Sequence, residues 1–332
     1  MYKWTKAFVR HPGTDLMVTA YTAYRLTKLL NHTNTSFYGI KYITGSCFRY
    51  WPEFDMVEKK LWSEPGFSDK YPTVFDILRS RGIPFKVSGF RRFGGGSSLA
   101  QLQADSFRPT QPWTFVFVGD VDGMMHKHGP ESQETRTLLR RVDQRLETIY
   151  QELSRDGEDP IFMLFSDHGM TRVEKSIDIR KRFREHGLRL PSFVHMIDNN
   201  FARFWFDKDG DREKVQKVLA SLEGGFVITD EVARQYHVDM PDNRFGDLIF
   251  YLDLPYAFGR TWYPLGLSAK TKPYHHGYSP DHSCMDGLLV ASKSLRSTNM
   301  PIELCDIMPS ILEALGQQVP HGLDGSSIWR TS

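Results

Sequence analysis

Cysteine is scarce in this sequence of 332 residues. Cys47, Cys284 and Cys305 lie far apart, and no two of them form a Cys-x-x-Cys pair. A disulfide framework needs paired cysteines, and a thiolate zinc site needs closely spaced ones. Neither is indicated here, and the three cysteines are interpreted as small, buried apolar residues.

The sequence has neither a long apolar run nor an excess of one charge. No run approaches the roughly 18 consecutive apolar residues of a membrane span, and the first residues do not lead into a signal-peptide core. Lysine and arginine total 42, against 40 aspartates and glutamates. We therefore expect no membrane span and no binding to a nucleic-acid polymer or an anionic membrane, and the cytoplasm is the predicted location.

Strands and helices alternate along much of the chain. Residues 114–119 and 160–165 form nearly continuous apolar runs, which are typical of strands buried on both faces of a sheet. Residues 132–153 place apolar side chains at helical spacing with charges between them. A helix over 73–81 and a strand over 84–88 precede these elements. This order predicts an α/β fold in which helices sandwich a mostly parallel central sheet.

The pattern changes between residues 191 and 264. A small α+β module is predicted there, with its elements at residues 201–206, 211–222, 226–228 and 247–252. Because residues 287–292 form another apolar run that fits the main sheet, the module is interpreted as an inserted cap. We therefore predict a main domain of residues 1–190 and 265–332 and a cap of residues 191–264.

Three groups of side chains that can bind metal lie beside these strands. Asp122 and His126 follow one apolar strand, and Asp167 and His168 follow the next. The third group precedes the run at 287–292 and consists of His275, His276, Asp281 and His282. Each group alone is also a common cap, turn or surface feature. Carboxylate and imidazole ligands suit zinc, and α/β sheets bind ligands where strands end, so the coincidence predicts a metal site.

Three motifs occur in a fixed order. They are Asp122-x3-His126-x2-Gly-Pro, then Ser166-Asp-His-Gly-Met, then His276-Gly-Tyr followed by Met-Asp-Gly-Leu-Leu-Val-Ala. This order resembles the alkaline phosphatase superfamily, in its type I phosphodiesterase and nucleotide pyrophosphatase branch. Residues 71–84 are similar to the family's helix and strand before the first motif, and residues 306–325 to its closing helix and loop. The resemblance covers about residue 70 to the C-terminus.

The resemblance implies two divalent metal ions, taken to be Zn²⁺. His275 is the alternative to His276 if the register differs by one residue, and His282 is a further alternative. His128 is expected to lie outside the ligand set, next to the site or on the surface. The ligands implied for the first ion are Asp122, His126 and His276, and those for the second are Asp167 and His168.

No nucleophile is recognisable in the sequence. The family that the chain resembles has an early strand ending in an aspartate ligand and a threonine or serine that attacks phosphorus. Thr44-Gly45 is a fragment of such a pattern and Ser36 precedes it, but no Pro-x-x-His-Gly segment follows. We therefore expect the nucleophile upstream of Met1, with Ser36 as the alternative, and an incomplete second metal site in this chain.

The resemblance implies a metal-dependent hydrolase of phosphoric esters, acting on phosphodiester or nucleotide pyrophosphate bonds. Its substrate would be a small phosphorylated molecule such as a nucleotide. The alternatives are a phosphomonoesterase or phosphotransferase of the same superfamily, and a noncatalytic metal-binding remnant if the nucleophile is missing. With so little net charge, attraction for phosphate would come from bound metal.

Overall fold

The computed structural model describes residues 60–68, 71–89, 97–107, 111–155, 157, 159–188, 193–206, 209–238, 240, 242–261, 269–296 and 301–330. These residues fall into two compact units. The discontinuous unit comprises the described residues between 60 and 170 and between 283 and 330. The other comprises the described residues between 171 and 282 and is called the 171–282 unit. Both contain helices and strands, and the fold is α/β.

Helices and strands occupy the positions predicted from the sequence, and additional elements, such as a helix over Ser98–Ala104, lie between them. The helices are α1 (Val74–Ser80), α2 (Ser98–Ala104), α3 (Asp120–His128), α4 (Gln133–Leu153), α5 (Ile179–Glu185), α6 (Asp209–Ala220), α7 (Asp230–Gln235) and α8 (Ile307–Ala314). The strands are β1 (Phe85–Ser88), β2 (Trp113–Val116), β3 (Met163–Phe165), β4 (Thr171–Arg172), β5 (Lys175–Ile177), β6 (Phe193–Ile197), β7 (Phe201–Phe206), β8 (Gly225–Val227), β9 (Leu248–Leu252), β10 (Tyr256–Phe258), β11 (Arg260–Thr261), β12 (Ala269–Lys270), β13 (Tyr274–His275) and β14 (Leu289–Ala291). Short 3-10 turns occur at Asn243–Phe245, Ser283–Met285 and Leu304–Asp306.

The longest helix, α4, lies in the core of the discontinuous unit and confirms the helix predicted over 132–153. Ser132 caps its first turn, since its hydroxyl accepts a hydrogen bond from the backbone N–H of Thr135 at 3.1 Å. Apolar side chains at helical spacing form one buried face. That face packs against α2 in a cluster that contains Leu99, Leu102, Leu138, Val142 and Ile149.

Two pairs of strands belong to the discontinuous unit. β1 and β2 are parallel, with Phe85 opposite Trp113, and β3 and β14 are antiparallel, with Leu164 opposite Val290. β14 confirms the strand predicted over 287–292, although its direction was not foreseen. The residues of β2 and β3 are half-buried rather than fully buried, because each strand has one hydrogen-bonded neighbour among the described residues.

The closing helix α8 is fixed at both ends. Asp306, which is buried, precedes it, and its carboxylate accepts hydrogen bonds from the backbone N–H of Ser326 at 2.7 Å and from Arg296 at 3.2 Å. After the helix, Gly316 adopts a φ of 64°, a conformation that glycine allows at low cost. This confirms the closing helix that the resemblance implies within residues 306–325.

The 171–282 unit is built on a four-stranded antiparallel sheet in the order β6-β7-β9-β8. β7, β8, β9 and α6 confirm the four elements predicted for the α+β module. One face of the sheet packs against α5 and α6, because alternate strand residues and one stripe of each helix are apolar. This core includes Phe183, Phe204, Val215, Leu219 and Phe250.

The bounds of the two units differ from the predicted domains. The predicted cap, residues 191–264, lies within the 171–282 unit, which extends further along the chain in both directions. Its assignment as a separate cap stays a prediction. Within the described residues, no helix is both long and apolar enough to cross a membrane. The cytoplasmic location also stays a prediction.

The interpretation of the cysteines as buried is wrong for two of them. Cys284 and Cys305 are exposed, and each lies in a 3-10 turn. In a 3-10 turn, successive side chains point in different directions. In each of these turns it is the residue after the cysteine that is buried: Met285 after Cys284, and Asp306 after Cys305. Cys47 lies outside the described residues.

Candidate metal centre

α3 presents the first motif. The helix begins at Asp120, so Asp122 lies in its first turn, where a negative charge is favoured by the helix dipole. His126 follows four residues later and lies on the same side of the helix. Its Nε2 is 3.4 Å from Oδ1 of Asp122, and the two side chains are 9% and 45% exposed, respectively. The partly exposed carboxylate of Asp122 thus lies beside the buried imidazole of His126.

The second motif follows β3. Nε2 of His168 is 3.4 Å from Oδ2 of Asp167, and Nδ1 of His168 is 2.9 Å from the carbonyl oxygen of Gly169. Because a carbonyl oxygen can only accept, Nδ1 carries the hydrogen of the neutral ring and Nε2 holds the lone pair. This is the tautomer in which Nε2 can bind a metal ion.

The loop of the second motif is held by the segment that enters β14. The backbone N–H of Ser166 donates to the carbonyl of Leu288 at 2.9 Å, and the N–H of Leu288 donates to the hydroxyl of Ser166 at 2.9 Å. Gly169 donates to the carbonyl of Met285 at 2.9 Å. The residues between the third motif and β14 therefore fix the loop that carries Asp167 and His168.

Asp122 and His168 come together within the discontinuous unit. A carboxylate oxygen of Asp122 and a ring nitrogen of His168 lie within 4.8 Å of each other, and both residues are half-buried. The family resemblance assigns them to different ions. Their separation suits two ligands of one ion, and it also suits ligands of two ions about 3.5–4 Å apart. The assignment of ligands to ions therefore stays a prediction.

The His276-Gly-Tyr motif belongs to the 171–282 unit, where it follows β13. Gly277 has a φ of 83°, and its carbonyl oxygen accepts a hydrogen bond from Nδ2 of Asn200 at 2.5 Å. The buried Tyr278 donates its hydroxyl to the carbonyl of Tyr256 at 3.0 Å. These bonds fix the backbone on the C-terminal side of His276, which is itself half-buried.

The two alternatives to His276 have different surroundings. His275 is only 4% exposed and lies in β13, opposite Thr171 of β4. Nε2 of His282 is 2.7 Å from Oδ1 of Asp253. His276 is thus more accessible to an ion than His275.

Two other assignments from the sequence have different outcomes. Nδ1 of His128 is 3.7 Å from a carboxylate oxygen of Glu134, and the His128 side chain is 28% exposed. Its place outside the ligand set stays a prediction. Ser36, the candidate nucleophile, and the Thr44-Gly45 fragment lie outside the described residues.

Sequence reasoning missed the residues that hold the ligand-bearing segments. Asn200 and Ser98 are two of them, and Ser98 contacts Asp120 at the start of α3. Burial would raise the pKa of Asp120, but hydrogen bonds from Ser97, Ser98 and the backbone N–H of Leu99 lower it below its usual value. The pair Ser97-Ser98 before an apolar residue was a helix-start signal that could have revealed α2.

A small cavity opens beside Asp167. Its volume is about 100 Å³, below the roughly 300 Å³ at which pockets for drug-sized ligands begin. It can thus accept a small group rather than a whole nucleotide. Its lining contains no lysine or arginine and consists of Phe165, Ser166, Asp167, Gly287, Leu288, Leu289, Ile302, Glu303, Leu304 and Ile307.

Solved structures define the class of fold. Murine ectonucleotide pyrophosphatase / phosphodiesterase 5 matches with a TM-score of 0.62 and 16% identity, over 79% of this chain and 75% of that one. Phosphonoacetate hydrolase from Sinorhizobium meliloti 1021, in complex with phosphonoacetate, matches with a TM-score of 0.53 and 14% identity, over 83% and 79%. The fold is therefore alkaline phosphatase-like, which agrees with the predicted fold class.

Within this class, the sequence specifies a family. The pattern of the type I phosphodiesterase / nucleotide pyrophosphatase family matches residues 7–279. The chain belongs to this family, which confirms the branch that the motif order indicates. The match begins well before residue 70, where the motif-based resemblance began.

Curated relatives match over part of their length. The ectonucleotide pyrophosphatase/phosphodiesterase family member 7 of Rattus norvegicus is 26% identical over 152 residues, which are 43% of this chain and 34% of that protein. The Homo sapiens protein of the same name is 27% identical over 151 residues, 43% of this chain and 32% of that protein. The match thus spans about a third of these relatives.

Proposed function

We propose that this protein is a metal-dependent hydrolase of phosphoric esters, acting on phosphodiester or nucleotide pyrophosphate bonds. The observation that carries the proposal is the approach of a carboxylate oxygen of Asp122 to a ring nitrogen of His168, within 4.8 Å. Membership of the type I phosphodiesterase / nucleotide pyrophosphatase family supports the reaction class.

The charge around the second motif supports a requirement for cations. The cavity beside Asp167 has two carboxylates in its lining, those of Asp167 and Glu303, and no basic side chain. A phosphate group would therefore meet like charge there. A divalent cation bound to Asp167 would make the site attractive to phosphate.

The donor chemistry fits Zn²⁺, because imidazole nitrogen and carboxylate oxygen are its usual ligands in hydrolytic sites. When bound, such an ion polarises the phosphoryl group and stabilises oxygens that gain charge. The protein positions two of the proposed ligands. The carbonyl of Gly169 accepts the Nδ1 hydrogen of His168 and so leaves the lone pair on Nε2, where it can bind metal, and Asp122 lies in the first turn of α3. The proposed ligand sets are Asp122, His126 and His276 for one ion, and Asp167 and His168 for the other.

The proposed substrate class is a nucleotide or a small phosphodiester. An inactive variant of murine ectonucleotide pyrophosphatase / phosphodiesterase 5 has been solved in complex with AMP, and it matches this chain with a TM-score of 0.58 and 17% identity. The overall charge of this chain is nearly balanced, so selection of an anionic substrate would depend on the site itself.

Zinc titration and hydrolysis test the proposal together. The metal-free protein is titrated with Zn²⁺ against a competing chelator, and turnover of bis(p-nitrophenyl) phosphate is followed at each occupancy. The titration is run on this chain and on a form extended upstream of Met1, where the nucleophile is predicted, and we expect zinc-dependent hydrolysis in the form that carries the nucleophile. Asp122→Ala and His168→Ala should each weaken zinc binding at least about tenfold and abolish that hydrolysis, because each removes a ligand.

The matched control is His321→Ala, which removes an exposed histidine outside the three motifs. It should bind zinc and hydrolyse the ester as the wild type does. Wild-type zinc affinity in His168→Ala would refute the proposed centre. Tight zinc binding at Asp122 and His168 without hydrolysis in either form would refute the hydrolase and favour a noncatalytic metal-binding protein.

A further inference from the structure

One carboxylate and one hydroxyl tie the start of α3 to the start of α2. Oδ2 of Asp120 accepts hydrogen bonds from the hydroxyl of Ser98 and, at 2.9 Å, from the backbone N–H of Leu99. The Ser98 oxygen accepts a hydrogen bond from the backbone N–H of Gly119 at 2.9 Å. We call these four residues, Ser98, Leu99, Gly119 and Asp120, the interhelix clasp.

The clasp is anchored in the core on the α2 side. Ser98 is 9% exposed, and Leu99 and Leu102 are 1% and 0% exposed. Both leucines pack in the cluster formed with α4. Since buried side chains in a close-packed core move little, α2 gives the clasp a firm support.

The α3 side of the clasp lies next to the proposed metal ligands. Asp122 follows Asp120 by two residues and His126 follows it by six, so they lie about 3 Å and about 9 Å further along the helix axis. A displacement of the first turn of α3 therefore moves the Asp122 carboxylate directly. Metal ligands tolerate errors of only about 0.5 Å in position.

We propose that Ser98 and Asp120 are positioning residues for the metal centre: through the clasp, they set the place of Asp122 without binding the ion. This inference rests on the proposed function, because it presumes that Asp122 is a ligand. It goes further in assigning a role to two residues that lie outside all three motifs. Residues that orient metal ligands typically contribute 10–100-fold to metal affinity.

The test measures Zn²⁺ dissociation constants by chelator competition, with the thermal midpoint recorded for each variant. Ser98→Ala removes the hydroxyl that links Asp120 and Gly119, so we expect zinc affinity to fall 10–100-fold. Ser98→Thr retains the hydroxyl and should stay within about threefold of the wild type. Asp120→Ala, which removes the oxygen that accepts from Ser98 and Leu99, should reproduce the loss seen in Ser98→Ala.

The matched control is Thr73→Ala, which removes the cap of α1 in the same unit, where the Thr73 hydroxyl accepts from the N–H of Asp76 at 3.2 Å. It should lower the thermal midpoint by about 2–4 °C and leave zinc affinity unchanged. Wild-type affinity in both Ser98→Ala and Asp120→Ala would overturn the inference. An equal loss in Thr73→Ala would also overturn it, since general destabilisation would then suffice.

His168→Ala separates this inference from the proposed function. If His168→Ala loses zinc while the clasp variants retain it, the metal centre stands and the positioning role is wrong. If His168→Ala retains wild-type affinity, the metal centre itself is wrong, whatever the clasp variants do.

Discussion

Gly169 lies so close to Cys284 that a β-carbon at position 169 would stand 2.1 Å from the carbonyl oxygen of Cys284. The same β-carbon would be 3.0 Å from the carbonyl oxygen of Asp286. Both obstacles are backbone atoms, which cannot rotate away as a side chain can. Glycine at this position is therefore a steric requirement of the loop that carries His168.

Gly169→Ala should lower the free energy of unfolding by about 1–3 kcal/mol, because the methyl group must push two backbone segments apart. It should also weaken zinc binding, since the carbonyl of Gly169 accepts the Nδ1 hydrogen of His168. Urea denaturation and zinc titration measure the two effects. Unchanged values in both experiments would show that the segments can separate without cost.

Gly123→Ala should have the opposite effect on stability. Gly123 lies within α3, and a β-carbon there would meet no atom within 4 Å beyond the adjacent residues and the backbone of the helix itself. Replacing a helical glycine with alanine reduces the backbone entropy lost on folding, so the free energy of unfolding should rise by about 0.5–1 kcal/mol. Because the added methyl group would meet nothing beyond the helix itself, Asp122 and His126 should keep their positions and zinc affinity should not change. A loss of stability in denaturant would contradict this expectation.

The stability of the 171–282 unit should depend on the protonation of His195. Burial, assisted by the positive charge of Arg180, lowers the pKa of His195 from 6.5 to about 3. Between these pH values the unfolded histidine binds a proton that the folded one does not. The free energy of unfolding therefore falls as the pH falls from 6.5 towards 3, with a contribution of at most about 1.4 kcal/mol per pH unit.

His195→Gln removes this titration and should flatten the pH dependence of urea unfolding in that range. The control is His321→Gln, which changes an exposed histidine and should leave the slope of the wild type. If His195→Gln and the wild type lose stability in parallel as the pH falls, the folded His195 takes up its proton normally and the prediction is wrong.

Asp306 should be the most sensitive carboxylate in the closing segment. It is buried and bonds to the backbone N–H groups of Ser326 and Glu303 and to Arg296. Asp306→Ala leaves these donors without their acceptor, so the free energy of unfolding should fall by about 3 kcal/mol. The control is Asp324→Ala, which changes an exposed carboxylate in the segment that follows α8. Equal unfolding midpoints for the two variants would refute the assignment.

Long periodic segments made much of the fold predictable from the sequence. α4 has enough turns for its apolar stripe to be evident, and the apolar runs of β2 and β3 are short and uninterrupted. α2 was missed because its buried pair, Leu99 and Leu102, spans only one turn. The direction of β14 was also not predictable, since one strand's residues do not encode which way its neighbour runs.

The candidate site was predictable in its residue types and less so in its arrangement. The spacing of Asp122 and His126 implies one helical face, because both lie on the same helix. The approach of Asp122 to His168 joins segments more than 40 residues apart, and local patterns contain no information on such distances. The clasp through Ser98 was missed because a serine near a helix start usually serves that helix alone.

The hydrogen bond from Gly169 to the carbonyl of Met285 joins two residues that flank the 171–282 unit in sequence. The chain therefore leaves the discontinuous unit and returns to it at neighbouring points. When the ends of a loop are already held together, doubling its length costs only about 0.6 kcal/mol of closure entropy. Loops of this segment that lie away from His276 can therefore lengthen or shorten at little cost in closure entropy, while the framework that carries Asp167 and His168 is preserved.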